Sequence, residues 1–587
     1  MGDPGYAWVS LPAMTPAVHN QSMQPHFTRR GFGAASLAAL AACATPPRGA
    51  RDLLIHGGAI YTGLAANPRV EAVGIRDGRF VFAGALREAR SGGGAREINL
   101  RGAAAFPGFV DSHVHLTGVG MAAMLLDLVG VESIAALQAR LRGYARTHPE
   151  GPIIGRGWIE THWPERRFPT HADLDAVVGD RPVFLERIDG HAAVVNSAAV
   201  ALAGIDAGTR DPEGGRVERD ASGAATGMLI DNAMELVQAR LPEPTSAQKR
   251  EALRQAAQLY ASRGWTGVHN MSTSGEESGN FLELDFAGEL PIYAHIYSDS
   301  GLLDFELQLE GPHEVHLVTG GPLPTSPHVS PRGAVKLYMD GALGSRGAAL
   351  LAHYNDASGD GLLVTPVERM HDLLRVARRI GTQVATHAIG DRGNRLALDA
   401  FRDVFADDPA ALRAARWRVE HAQVLDLADL PRFAQMGVIA SMQPSHAISD
   451  LHFAPSRLGE QRLAGAYAWN SLLRSGAVIA GGSDAPVEKG DPLIEFYAAC
   501  HRHDLSDFAG PNWHLEEAVS RQQALAMFTT GAAYASFSEQ ERGTIEVGKR
   551  ADLSCFSADL MSCAPAEIPR ARAALTVSDG RVTHDAL

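Results

Sequence analysis

The chain has 587 residues, 45 % of them hydrophobic, which is ordinary for a water-soluble globular protein and enough for one large α/β domain with a smaller companion. Its 53 Lys+Arg stand against 67 Asp+Glu, a net charge of -14 without long like-charge blocks, which excludes a protein that grips nucleic acid by bulk charge. The expected partner is a small-molecule substrate. Among Cys43, Cys500, Cys555 and Cys563 no pair has the C-x-x-C spacing of a thiol metal site or redox motif.

The first element is "FTRRGFGAASLAALAACATPP", in which Arg29 and Arg30 precede a short Ala/Leu-rich run of signal length, too short to span a membrane. It resembles a bacterial twin-arginine export signal, and "LAAC" at 40–43 resembles a lipobox in which Cys43 would carry lipid. The expected location is therefore periplasmic or at the cell surface, with membrane contact only through that anchor. A twin-arginine signal cut elsewhere would release a free protein. Met23, just before the arginine pair, is an alternative start that would leave the first 22 residues out of the protein.

Residues 1–50 are thus read as export signal and tether, and 51–104 as β-rich, with a hairpin hinged on Asp77-Gly78. From 105 to 536 short apolar runs alternate with amphipathic helices: "GWTGVHN", "GAVKLYMDG", "GTQVATHAIGD", "WRVEHAQV", "GVIASMQPSH" and "GAVIAGGSDAP" read as strands, "MHDLLRVARRI" and "ADLPRFAQM" as helices. That alternation implies a parallel sheet, and its length points to a closed barrel with helices outside. Residues 537–587 are β-rich again, with Asp579-Gly580 at a turn, and the two ends are expected to form one discontinuous domain because neither alone can bury a core.

In such a barrel the chemistry sits where strands end. "FPGFVDSHVHLTG" at 106–118 finishes an apolar strand with His113 and His115, which project to one face and can offer two imidazoles to one cation. "VATHAIGD" places His387, "WRVEHAQV" His421 and "VIAGGSDAPV" Asp484 in similar contexts, while Lys336 sits inside an apolar strand, where an ammonium is costly. The gaps of 51, 34 and 63 residues from Lys336 onward suit successive or near-successive βα units, but the 223 residues between His113 and Lys336 require an insertion.

In order along the chain, "PGFVDSHVHL", "GWIETHWP", "DGHAAVVNS", "VKLYMDGALGSRGAAL", "HAIGDRGN", "RVEHAQ", "QPSH" and "GSDAPVE" resemble the amidohydrolase superfamily, and within it the amidohydrolase-3 group of metal-dependent hydrolases. The resemblance implies an α/β fold, a distorted TIM (β/α)8 barrel with a small β-sandwich from both chain ends. It further implies that His113, His115 and Asp484 bind one metal and His387 and His421 a second, with Lys336 carboxylated by CO2 and bridging the two. Zinc is the first expectation, with iron, manganese or a single metal as alternatives.

The expected reaction is hydrolysis of a carbon–nitrogen bond by metal-activated water, Asp484 moving the proton. A mononuclear deaminase, an esterase or lactonase on the same barrel, and a non-catalytic ligand-binding lipoprotein are the alternatives. Substrate contacts are expected from His191, Asp340, Arg346 and His446, and from Trp158 with its neighbour Trp163. His162, His171, His269, His295, His501 and His503 are read as structural or surface residues. The letters leave open whether the chain forms a homo-oligomer.

Overall fold

A computed structural model describes residues 53–587 apart from 92–94, 161–162, 188–191, 213–214, 309–325, 327, 331–332 and 345. The signal-like segment, Cys43 and His191 lie outside the described residues. Both Asp-Gly pairs form two-residue hairpin loops with both residues at positive φ, 50° and 75° at Asp77-Gly78 and 47° and 73° at Asp579-Gly580, as a type I′ turn demands.

These hairpins belong to one eight-stranded sheet that draws on both chain ends. Strand Ala104–Pro107 pairs antiparallel with Leu553–Phe556 and parallel with Leu53–Tyr61, so it is the element that joins the two ends. Gly108 then separates this sheet from the barrel.

The barrel strands are β1 (Phe109–Val114), β2 (Trp265–Thr273), β3 (Tyr293–Ser298), β4 (Ala334–Tyr338), β5 (Gln383–Ala388), β6 (Arg418–His421), β7 (Ile439–Met442) and β8 (Ile479–Gly481). All neighbours in this order pair in parallel. The ring closes through the segment after β8: Asp484 N donates to His113 O at 2.7 Å and His115 N to Ala485 O at 2.9 Å. A side chain at Gly482 has no room at this seam, since its Cβ would lie 2.5 Å from His113 N. Outside, the helix Val367–Ile380 shows why such segments cover a sheet: Met370, Leu373, Leu374 and Ala377 recur on one face and are buried, and Gly381 at φ 71° ends it.

The insertion is a compact unit of its own, Leu125–Glu243, with a six-stranded sheet; the barrel and the end sheet form the other unit, Ala50–Met124 with Pro244–Leu587. Trp158 belongs to the core of the inserted unit, fully buried with Nε1 donating to Leu185 O at 2.8 Å and its ring against Trp163. The expectation that Trp158 contacts substrate is corrected accordingly: its donor is satisfied by backbone and its faces by core residues.

Candidate functional site

The six candidate ligands stand on or just after β1, β4, β5, β6 and β8, His113, His387 and His421 near strand ends, His115 and Asp484 just beyond them and Lys336 in the middle of β4. His113 is the centre of the group. Its Nδ1 donates to Glu420 Oε2 at 2.6 Å, which fixes the tautomer and leaves Nε2 as a lone pair. That nitrogen lies 3.2 Å from Lys336 Nζ and 3.4 Å from Asp484 Oδ1. His115 Nε2 approaches the same Asp484 oxygen at 3.5 Å, and His446 Nε2 reaches Oδ2 at 3.6 Å. Ligand atoms of His113, His421 and Asp484 all lie within 4.8 Å of one another.

His421 thus joins His113 and Asp484 in one tight group. The reason is local: His421 and Ala422 both have positive φ, 73° and 44°, which breaks strand alternation. Adjacent residues Glu420 and His421 can then both serve the site. Asp484 is likewise left-handed at φ 59°, and such conformations in non-glycine residues concentrate at functional sites. His421 Nδ1 donates to Gln443 Oε1 at 2.9 Å, leaving Nε2 free for a cation. His387 lies 4.5 Å from the His421 ring, centroid to centroid, with its Nε2 facing Gly341 O at 3.5 Å.

The electrostatics favour metal binding. Burial, reinforced by the Lys336 charge, lowers His113 to about 4 and His387 to about 3, so both are neutral ligands at ordinary pH. Burial would raise Asp484, but His113, His115, His421 and His446 together hold it well below the usual carboxylate range. Burial also lowers Lys336 to about 8, with Glu420 and Asp484 opposing the shift. A buried lysine with an appreciable neutral fraction, one carboxylate and a cluster of neutral imidazoles is a donor set that fits divalent cations.

Beneath the ligands lies a support that the letters did not reveal. Arg418 is fully buried and donates to Glu420 through Nε at 2.7 Å and Nη2 at 3.0 Å, to His269 Nδ1, to Tyr297 OH, to Ser112 O and to Ser441 Oγ. One guanidinium thus ties β1, β2, β3 and β7 to β6. Asp111 does the same at the seam, accepting from Ser483 N at 2.8 Å and Ser483 Oγ at 2.6 Å, while burial pushes it up to about 7. The signal for Arg418 and Glu420 was the one that singled out Lys336: charge inside an otherwise apolar strand.

Tyr338 is a further residue at the mouth, partly exposed beside His387 and hydrogen-bonded to Ser272 Oγ at 2.5 Å. Two residues expected at the substrate, Asp340 and Arg346, have partners within the protein. Asp340 is buried and accepts backbone N–H from Ala349, Ile389 and Gly390 at 2.8–2.9 Å, so it organises the loops around His387. Arg346 has its Nε and Nη2 taken by Asp356, as a staple within its own loop. His446 does face Asp484, as given above.

The sequence profile of the Amidohydrolase family matches residues 96–584. YtcJ of Bacillus subtilis (strain 168) is 35 % identical over 540 residues, covering 90 % of this chain and 99 % of that protein. The N-substituted formamide deformylase of Arthrobacter pascens is 28 % identical over 91 % of this chain and 98 % of its own. Among solved structures, a metal-dependent hydrolase from Pyrococcus furiosus superposes with a TM-score of 0.69 at 30 % identity, covering 87 % of this chain and all of that one.

Proposed function

The chain belongs to the amidohydrolase family, and on that premise we propose that it hydrolyses a carbon–nitrogen bond of an amide, N-acyl, formamide or cyclic-amide substrate. The observation that carries this is the convergence of His113, His421 and Asp484 within 4.8 Å at the barrel mouth, with Lys336 Nζ 3.2 Å from His113. His113, His115 and Asp484 would hold one cation and His387 and His421 another, with Lys336 between them as a carbamate. Divalent cations, Zn2+ first, supply Lewis-acid polarisation of a carbonyl and a water of lowered pKa.

The residues of the chain do the rest. Asp484, held well below the usual carboxylate range and so ionised, accepts a proton from the attacking water and delivers it to the departing nitrogen. Glu420 and Gln443 each take one imidazole N–H, so the opposite nitrogens of His113 and His421 stay free to coordinate. Lys336, low enough to offer a neutral amine, forms an Nζ–C bond with CO2 and releases a proton.

The test is turnover by the purified chain, supplied with Zn2+ and bicarbonate, of N-acyl amino acids, formamides and cyclic amides, beside esters, lactones and amino-heterocycles. Hydrolysis confined to the first group, and lost in Asp484→Asn, is expected. Turnover of only the second group would replace the proposal with an esterase, lactonase or deaminase. We propose in addition that Arg29 and Arg30 direct export and that Cys43 carries lipid. Fractionation of cells making the parent, the Arg29→Lys/Arg30→Lys variant and Cys43→Ser tests both.

A further inference from the structure

A second cluster of metal-ligating side chains lies at the end of the helix Pro492–His501, outside the residues used above. Residues two apart on an unbroken helix point about 200° apart around its axis. Here Arg502 takes a left-handed φ of 58°, and the rings of His501 and His503 come to 4.1 Å between centroids. The turn is rigidly held. Arg502 is 1 % exposed, and its guanidinium donates to Trp513 O at 2.9 Å, Tyr467 O at 2.8 Å and Ala466 O at 3.0 Å.

The two imidazoles meet a carboxylate. Asp507 Oδ1 lies 3.1 Å from His501 Nε2 and 2.7 Å from His503 Nδ1. Its loop is closed on itself: Asp504 Oδ1 accepts from Ser506 N and Phe508 N at 2.8 and 2.9 Å, and Asp507 N donates to Asp504 O at 3.0 Å. The three candidate ligand atoms all lie within 4.8 Å of one another, and the two histidines are partly open to solvent, at 28 % and 20 % of side-chain surface.

From this geometry we propose that His501, His503 and Asp507 form a surface site for a divalent transition metal, Zn2+ first, separate from the cations of the barrel mouth. Two imidazoles and one carboxylate suit Zn2+, and a water can complete four-coordination from the open side. Bonds of about 2.0–2.1 Å place tetrahedral ligands roughly 3.3 Å apart, so Asp507 Oδ1, now 3.1 Å from His501 Nε2 and 2.7 Å from His503 Nδ1, has to open by roughly 0.2 and 0.6 Å. Binding takes His501 Nε2 and His503 Nδ1, each ring then carrying its proton on the opposite nitrogen, and clips the 501–508 loop to the end of the helix that follows β8. The proposal goes beyond the reading of His501 and His503 as structural or surface residues.

The experiment titrates Zn2+ into the full metal-stripped chain against a chromophoric chelator, comparing the parent with His503→Asn and Asp507→Asn. The parent is expected to bind one more equivalent than either variant, and its thermal midpoint to keep rising with Zn2+ after hydrolase activity has saturated. Both variants keep parental hydrolysis and lose that second rise. Circular dichroism identifies a variant that fails to fold, in which case the other decides. Equal equivalents in the parent and the folded variants would overturn the site and leave a hydrogen-bonded triad only.

Discussion

Replacing Glu420 by Gln probes the support beneath the metal ligands. The carboxylate is fully buried, takes the His113 Nδ1–H at 2.6 Å and faces Arg418 at 2.7 and 3.0 Å. An amide of the same shape can keep its oxygen on His113 Nδ1 and Arg418 Nη2, but its NH2 then faces Arg418 Nε, so a donor meets a donor. Arg418 also loses its buried counter-ion. Breaking such a pair costs about 3–5 kcal/mol, and loss of the carboxylate behind a ligating histidine weakens metal binding roughly 10–100-fold.

Unfolding of the metal-stripped protein and competition titration with Zn2+ measure the two effects separately. They carry a pH signature. Burial alone would raise Glu420, but Arg418 and His113 lower it from 4.5 to about 2. A folded value below the unfolded one means stabilisation that is complete above about pH 4.5 and lost as pH falls through about 2. The stability gap between parent and Glu420→Gln is therefore full at neutral pH and closes in that acid window. A variant that unfolds like the parent and binds Zn2+ within about twofold of it, against the expected 10–100-fold, would refute the reasoning.

Asp484→Asn should lower turnover by about 10²–10⁴-fold while elemental analysis still finds much of the metal. Lys336→Ala should lose metal and recover part of it, with activity, when short carboxylates are added; absence of recovery would count against a carbamate. Gly482→Ala places a Cβ 2.5 Å from His113 N, and the forced opening of the seam should cost about 1–3 kcal/mol in unfolding experiments and weaken Zn2+ binding. Trp158→Ala should cost about 3–5 kcal/mol through a core cavity, read by chemical unfolding, while metal content stays parental.

Much of this architecture was legible because each barrel strand had to be apolar, short and followed by a helix. Six of the barrel strands could be read in this way besides the one ending in "DSHVH". Tyr293–Ser298 escaped because its sequence, YAHIYS, mixes tyrosines and a histidine that face the barrel interior, where Tyr297 and His295 are buried. The two Asp-Gly hairpins were visible since few dipeptides accept two positive φ values in succession.

The candidate ligands were singled out by their place on or just after apolar strands, whereas the close approach of His421 to His113 and Asp484 was not legible. That approach depends on the left-handed turn at His421, which no spacing announces. The internal partners of Asp340 and Arg346 were not legible, because a polar residue next to a site has the same letters whether it meets substrate or holds a loop. Trp158 misled for a related reason: the insertion builds a core of its own, and its aromatic residues fill it.

The central claim is a metal centre at the barrel mouth that performs hydrolysis. Elemental analysis of the chain carrying His503→Asn, run beside the amide screen, tests it most directly because it removes the surface site from the count. Two metal ions per chain, with activity that falls as they are chelated and returns with Zn2+, is the predicted result. No metal even after reconstitution with Zn2+ and bicarbonate would contradict the account.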